Sequence, residues 1–270
     1  MLDCAEGVQV GLRKMRLNIS NIQAIFLTHM HGDHVFGLIG LLSTLGLLGR
    51  QQQLHIYGPA PLQSIFQPQI DYFCADSPFE IMLHEIDSQV PQTVYEDRSV
   101  TISTIPLSHR VKCCGYMLKE KQTSPHIKRD MIEYFNIPIS QINNIKAGAD
   151  WTLDDGTVVP NCRLTTPAAP ARSYAYCTDT KYKPDIAELI PNANCLYHEA
   201  TFSQEHMLLA KKTFHSTAEQ AAHIAQAAHV SQLVIGHFSS RYNDENLLLE
   251  EAKTVFPNTI LANEGMKIKL

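Results

Sequence analysis

A seven-residue run near the start of the chain, T-H-M-H-G-D-H, constrains what the chain can fold into more than any other feature. It follows the apolar residues 22–27, which have the composition of a buried strand. Four side chains able to bind a metal lie within it: His29, His31, Asp33 and His34. Imidazole and carboxylate are ligands that zinc and similar divalent metals accept, and Gly32 permits a tight turn. The alternative is a solvated loop, but a solvated loop does not require three histidines. The run therefore predicts a strand that ends at a metal site.

Strands and helices alternate along the rest of the chain. β-Branched and aromatic residues predict strands at 22–27, 54–57, 100–106, 173–177, 195–197, 233–235 and 259–262. Apolar spacing predicts helices at 35–49, 218–230 and 243–255. Ser216 and Glu219 fit a capping box at the start of the second of these helices. The alternation predicts an α/β fold built in layers.

The composition limits the class of protein. The chain has 270 residues, of which 44% are hydrophobic and 18% charged, enough to bury a large core as one domain or two joined halves. The most apolar window, 35–49, is shorter than the ~20 residues that span a bilayer, which argues against a membrane protein. Seven cysteines without a C-x-x-C pair suit a reducing compartment, and no export signal is readable. We therefore expect a cytoplasmic protein.

Three further candidate ligands each follow a predicted strand: His109, Asp179 and His237. The carboxyl ends of parallel strands meet at one edge of a sheet, where the active sites of open α/β folds gather. A single histidine after a strand is more often a structural residue. Together with T-H-M-H-G-D-H, however, the three strand ends favour one shared metal centre.

The order of these residues resembles that of the metallo-β-lactamase-fold hydrolases. Four longer motifs resemble the ribonuclease Z family of tRNA 3′-end endonucleases: H-M-H-G-D-H-V-F-G-L-I-G-L-L, H-E-A-T-F at 198–202, H-S-T at 215–217 and G-H-F-S-S-R-Y at 236–242. H-x-H-x-D-H specifies only the superfamily, whereas the H-E-A-T and H-S-T pair is specific to the family. The resemblance covers nearly the whole chain. It implies an αββα sandwich of two mixed sheets flanked by helices, with an inserted arm.

The resemblance also implies roles for particular residues. It implies two zinc ions per chain, with seven ligands: His29, His31 and His109 on one ion, Asp33, His34 and His237 on the other, and Asp179 between both. Two metals in this arrangement can clamp both the attacking and the leaving oxygen of a phosphodiester. The implied catalytic residues are Asp33, for the proton of the nucleophile, and Glu199 with His215, for the leaving oxygen. The residues alone favour a structural interpretation, in which Glu199 caps a helix or meets a surface cation and His215 precedes the Ser216 cap for local reasons.

The arm is expected at about 110–172, within a single domain that spans 1–270. This segment holds nine basic and six acidic residues and so has a net charge of +3. The whole chain carries a net charge of −5, and this negative charge opposes binding to RNA. In the resembling family the corresponding insertion grips tRNA, and one subunit's arm serves the other's site in a homodimer. A solvated helical insert is the alternative. Where many members have a Gly-Pro element, this chain has P-I-S-Q-I-N at 138–143, so the grip is expected to differ.

The first residues depart from the family as well. Residues 1–7 resemble the segment that follows the family's first strands, so those strands and their glycine-rich turn are expected to be missing. Either the true start lies upstream, or the chain is a degenerate member.

Three functions are therefore considered. The leading one is a zinc-dependent endoribonuclease that removes the 3′ trailer of precursor tRNA and leaves a 3′-hydroxyl. The second is a related phosphodiesterase or arylsulfatase-like hydrolase acting on small substrates. The third is a non-catalytic, degenerate homologue.

Overall fold

The computed structural model describes residues 1–270, which form two compact units. The larger unit consists of Met1–Lys119 and Ser173–Leu270, and the smaller of Glu120–Arg172. The strands, in chain order, are β1 (Ala24–Phe26), β2 (Leu54–Pro59), β3 (Ile81–Ile86), β4 (Thr93–Glu96), β5 (Val100–Pro106), β6 (Cys114–Glu120), β7 (His126–Ile127), β8 (Trp151–Thr152), β9 (Val158–Val159), β10 (Thr165–Thr166), β11 (Ser173–Cys177), β12 (Cys195–Glu199), β13 (Gln232–Gly236) and β14 (Thr259–Leu261).

The helices are mostly short. They are α1 (Val8–Lys14), α2 (Gly32–Val35), α3 (Leu38–Leu47), α4 (Leu62–Phe73), α5 (Arg129–Tyr134), α6 (Ile139–Lys146), α7 (Asn161–Leu164), α8 (Ile186–Leu189), α9 (Met207–Thr213), α10 (Ala218–Ala227) and α11 (Asn246–Val255), with 3₁₀ turns at Ile19–Asn21 and Gln204–His206. None of these helices combines the length and the apolarity that crossing a membrane requires.

The larger unit contains two sheets. A seven-stranded sheet has the order β14-β13-β12-β11-β6-β5-β4, and a three-stranded sheet has the order β1-β2-β3. The larger sheet is mixed, because β11 to β14 pair in parallel while β11 pairs antiparallel with β6. The smaller sheet is parallel throughout, so the expectation of two mixed sheets was wrong for this one. The physical reason is that α3 and α4 carry the chain back between its strands, and such crossovers join parallel neighbours.

The two sheets face each other through an aromatic layer. Phe26 of β1 stacks on Tyr57 of β2 at a centroid distance of 5.0 Å and meets the edge of Tyr116 of β6 at 5.4 Å. Ile25 and Leu27 point to the opposite face of the same strand, against the buried side of α3 and α4.

The outer face of the larger sheet carries its own helices. The small alanines of α10, with residues of α8 and α11, pack on β11, β12 and β13. Helices therefore cover both outer faces, which confirms the predicted αββα layers.

The smaller unit has a separate core. Ile137, Ile145, Val159 and Leu164 are buried together, and the two ends of the unit meet where the Glu120 N–H donates to the Arg172 carbonyl at 2.8 Å. The unit holds six basic and six acidic residues and is therefore neutral. The excess positive charge predicted for 110–172 comes from residues before Glu120, which belong to the larger unit.

All seven predicted strands and all three predicted helices are present. The capping box of α10 is formed one residue later than predicted, by Thr217 and Gln220. Ser216 is not available as a cap, because its hydroxyl donates to the carbonyl of Thr180 at 2.7 Å.

Candidate metal centre

Five of the seven predicted ligands lie just after the end of a strand, and Asp33 and His34 lie in α2, the short helix that follows β1. His29 and His31 follow β1, His109 follows β5, Asp179 follows β11 and His237 follows β13. Since β11, β12 and β13 run parallel, their carboxyl ends bring the ligands of distant segments to one edge of the larger sheet.

The predicted ligands meet in overlapping groups. The ligand atoms of His29, His31 and His109 lie within 4.8 Å of one another, as do those of Asp33, His34 and His237.

Asp179 lies near both groups, because a carboxylate oxygen is within 4.8 Å of a ring nitrogen of His29 and of one of His109, while both oxygens approach the second group. One carboxylate oxygen is 3.2 Å from Nε2 of His34, and the other is 3.3 Å from Nε2 of His237. The side chain of Asp179 is nearly fully buried, so both oxygens face the cluster rather than solvent.

A buried carboxylate, Asp3, orients two of the histidines. Nδ1 of His34 lies 2.8 Å from Oδ2 of Asp3. Nδ1 of His29 lies 3.0 Å from the hydroxyl of Thr28, which donates to Asp3 at 3.0 Å. Because the threonine proton goes to the carboxylate, its oxygen accepts from the histidine. Both imidazoles are therefore fixed with Nε2 turned toward the other ligands, where that of His29 lies 3.0 Å from Nδ1 of His31 and that of His34 lies 3.2 Å from Asp179.

Glu199 forms a second arrangement of the same kind. Nδ1 of His237 lies 2.8 Å from the hydroxyl of Thr201, which donates to Oε2 of Glu199 at 2.6 Å. Oε1 of Glu199 lies 2.9 Å from Nδ1 of His215. One fully buried carboxylate thus orients both a candidate metal ligand and the histidine beside it.

His109 is oriented by a strained backbone segment. Its Nδ1 lies 3.1 Å from the carbonyl oxygen of Phe214, a residue with φ of 65°. Asp179 and His237 also have positive φ, at 49° and 61°. Left-handed conformations cost non-glycine residues of order 1 kcal/mol or more each, and they cluster where a side chain must be aimed.

The donor set fits a metal centre. Histidine ligands of metals characteristically donate their other ring N–H to a carboxylate, hydroxyl or carbonyl, which fixes the tautomer. Four of the five histidines have Nδ1 engaged in this way: His29, His34, His109 and His237. Imidazole nitrogens with carboxylate oxygens suit zinc among the divalent ions.

Burial and charge shift the proton affinities of the cluster. Burial lowers the pKa of His29 to about 3, so this imidazole stays neutral and keeps a lone pair for a metal. Burial also opposes charge on His34, but hydrogen bonds with Asp179 and Asp3 outweigh it and raise its pKa to about 10. A metal ion must therefore displace a proton from His34. For His215, the hydrogen bond with Glu199 outweighs burial and raises the pKa.

The cluster opens into a cavity of about 380 Å³. Its lining residues are His31, Asp33, His109, Arg110, Asp179, Thr201, Phe202, Thr213, His215 and His237. The side chain of Asp33 is 72% exposed, so its carboxylate can reach both the cluster and a molecule in the cavity. Of the predicted ligands and catalytic residues, this cavity is lined by His31, Asp33, His109, Asp179, His215 and His237, and His29, His34 and Glu199 lie within 4.8 Å of residues in this lining.

Several residues at the site were not found from the sequence. Thr28 directly precedes His29 in T-H-M-H-G-D-H, and Thr201 lies two residues after Glu199 in H-E-A-T-F, so their positions within these motifs were the available signal. Asp3 and Phe214 act through a buried side chain and a backbone carbonyl, and no sequence pattern marks such contacts. The guanidinium of Arg241, in the G-H-F-S-S-R-Y motif, lies 5.5 Å from the centre of the Phe202 ring.

Comparison with known proteins relates the chain to one family. The model of the beta-lactamase superfamily domain matches residues 1–127 and 123–238. Ribonuclease Z of Bacteroides thetaiotaomicron is 51% identical over 270 residues, covering 100% of this chain and 85% of that protein. Ribonuclease Z of Porphyromonas gingivalis is 47% identical, covering 100% and 89%. The crystal structure of the short form of human tRNase Z is 25% identical with a TM-score of 0.68, covering 99% and 86%.

The Glu199 carboxylate should be essential for the folded site. Besides His215 and Thr201, it accepts hydrogen bonds from the backbone N–H groups of Thr180 and Ser216. Glu199→Gln replaces one acceptor oxygen by a donor, which leaves buried donors unpaired, so we expect a loss of about 2 kcal/mol in the free energy of unfolding. Urea denaturation at equal metal content measures this. Glu205→Gln, at an exposed position, is the control, and equal stability of the two variants would contradict the role of Glu199.

Proposed function

This chain belongs to the ribonuclease Z family within the beta-lactamase superfamily, and we propose that it is an endoribonuclease that removes the 3′ trailer of precursor tRNA. The observation that carries the proposal is one cavity in which the predicted ligand groups lie beside a histidine held by a buried carboxylate. Such an arrangement suits the hydrolysis of a phosphodiester. Bound metal ions can activate the attacking water, and the histidine can protonate the leaving oxygen.

The metal content belongs to the same proposal. Two zinc ions per chain would be held by the two ligand groups, with Asp179 between them. Its carboxylate lies within 4.8 Å of ring nitrogens of His29 and His109 in one group and close to His34 and His237 in the other. When bound, such ions lower the pKa of water and neutralise charge on a phosphate.

Asp33 and His215 each carry out one of the two proton transfers. Asp33 accepts the proton of the attacking water, whose oxygen bonds to phosphorus. The bond from phosphorus to the 3′ oxygen breaks, and His215 donates a proton from Nε2 to that oxygen. Glu199 holds His215 through Nδ1, which leaves Nε2 facing outward. The tRNA keeps a 3′-hydroxyl, and the trailer keeps the 5′-phosphate.

The proposed assembly is a homodimer in the cytoplasm, in which the arm of one subunit serves the site of the other. An exposed apolar patch supports self-association, and it consists of Leu47, Leu48, Tyr72 and Phe73. The smaller unit is the proposed arm. Its exposed Tyr134 and Ile139 offer apolar surface for contact with the tRNA, and such contact does not require a positive net charge. Seven free thiols suit a reducing compartment.

Metal analysis should find two zinc ions per chain in the purified protein. Asp179→Ala should lower this to one ion or fewer, because the lost carboxylate lies near His29 and His109 of one group as well as His34 and His237 of the other. Inductively coupled plasma mass spectrometry measures the content, and His223→Ala, at an exposed position on α10, should keep two ions. Less than one zinc per wild-type chain would remove the case for two-metal catalysis.

Cleavage of a precursor tRNA with a 3′ trailer tests the function directly. The wild-type chain should release the trailer and leave a 3′-hydroxyl on the tRNA. Asp33→Ala should lower kcat by at least ~100-fold, since it removes a proton acceptor and a candidate ligand. Asp185→Ala, at an exposed position, should retain activity. A chain that hydrolyses bis-p-nitrophenyl phosphate but no precursor tRNA would refute the proposed substrate.

The arm can be removed without disturbing the sheet. Lys119 and Ser173 are paired across β6 and β11, so an Asn-Gly turn can replace 120–172 as a two-residue hairpin loop. This armless chain should lose at least ~10-fold in cleavage of precursor tRNA and keep its activity on bis-p-nitrophenyl phosphate. A purified heterodimer of the armless chain with Asp33→Ala should recover cleavage, because the inactive subunit supplies the arm.

The matched control combines the same two changes, the removed arm and Asp33→Ala, in one chain. A heterodimer of wild type with the armless Asp33→Ala chain has an active site but no arm from its partner, so it should stay slow. Equal rates for the two heterodimers would contradict an arm that acts between subunits.

A further inference from the structure

A second cavity adjoins the metal centre. It has a volume of about 430 Å³ and is lined by Lys181, Tyr182, Met207, Leu208, Lys211, His215 and Gln220. His215 also lines the cavity of the metal centre, so the two spaces meet at the histidine that faces the leaving oxygen. The volume falls within the range of about 300–1,000 Å³ that is usual for small-molecule sites.

The charge of this second cavity is opposite to that of the chain. Two lysines line it without any acidic residue, whereas the whole chain carries −5. Neither lysine forms an ion pair with a carboxylate. The ammonium group of Lys181 lies 5.2 Å from the centre of the Phe214 ring, which keeps it near the site. The cavity therefore favours an anionic group.

The remaining walls are apolar and exposed. Tyr182 is 39% exposed, Met207 41% and Leu208 79%, so a ring and two aliphatic side chains face solvent beside the lysines. Aromatic rings next to cations form the usual platform for a nucleotide, because the base stacks on the ring while the phosphate meets the cation.

The position of His215 determines which nucleotide of the precursor tRNA lies beside the second cavity. The proposed reaction has His215 donate its proton to the 3′ oxygen of the residue that stays on the tRNA. That oxygen belongs to the nucleotide on the 5′ side of the cut, so its sugar must lie next to His215. The nucleotide on the 3′ side leaves with the phosphate, away from this proton donor.

We propose that the second cavity binds the nucleotide immediately 5′ of the cleaved bond, with its base on Tyr182 and its own 5′-phosphate at Lys211. This inference rests on the proposed function and adds a subsite to it. Tyr182 and Lys211 are binding residues here, and they do not take part in proton transfer.

Cleavage kinetics with altered substrates test the subsite. Tyr182→Ala should raise KM for precursor tRNA by ~10-fold, and Tyr182→Phe should restore it, because the ring is retained. Lys211→Gln should also raise KM, whereas Lys212→Gln, on the same helix but outside the cavity, should not. With a precursor that is abasic at the 5′ nucleotide, the penalty of Tyr182→Ala should vanish. A penalty that persists there, or vanishes only with an abasic nucleotide 3′ of the cut, would overturn the assignment.

Binding of adenosine 5′-monophosphate to the zinc-loaded protein separates the subsite from the function. Calorimetry should show a Kd at least ~10-fold higher for Tyr182→Ala and for Lys211→Gln than for wild type and Lys212→Gln. Equal Kd values for all four proteins would mean that the nucleotide is held elsewhere, and would refute the subsite. A wild-type chain that binds the nucleotide but cleaves no precursor tRNA would instead refute the proposed function.

Discussion

Two buried carboxylates hold the metal centre in shape. Asp3 and Glu199 each accept a hydrogen bond from a threonine hydroxyl, and that hydroxyl accepts from a candidate metal ligand. Each carboxylate also binds a second histidine directly. A buried carboxylate is costly unless its oxygens are hydrogen-bonded, so the histidines and the carboxylates stabilise each other. The imidazoles are consequently aimed before any metal arrives, which lowers the cost of assembling the site.

The rigid sheet makes this arrangement possible. Asp179 and His237 are in left-handed conformations that cost about 1–3 kcal/mol each, and such strain persists only where the surrounding structure over-determines it. His237 directly follows β13 and Asp179 lies two residues after β11, and both strands have fully buried positions, including Cys177 and Ile235. The alanines of α10 allow that helix to pack closely on these strands. The packing of the core thus offsets the strain at the ligands.

The sequence revealed the parts of the site that lie in strand ends. A buried strand followed by His or Asp is a local pattern, so β11, β13 and their ligands could be predicted. Asp3 could not, because its contact with His34 joins residues distant in sequence and depends on the packing of both segments. The capping box of α10 was misplaced for a similar reason, since a tertiary hydrogen bond to Thr180 occupies the Ser216 hydroxyl. Local patterns predict elements, whereas contacts between elements decide which side chain acts.

The net charge of −5 need not exclude RNA, because charges act over a short range at physiological ionic strength. The Debye length is then about 8 Å, so acidic residues on remote surfaces are screened from a phosphate in the cavity. The cations near a phosphate are Arg110 in the cavity of the metal centre, where Asp33 and Asp179 oppose it unless metal ions are bound, and Lys181 with Lys211 in the second cavity. The smaller unit adds no net charge. Binding of the proposed substrate must therefore draw on stacking, on the metal centre and on a few placed cations, and its affinity should depend less on salt than that of a basic nuclease.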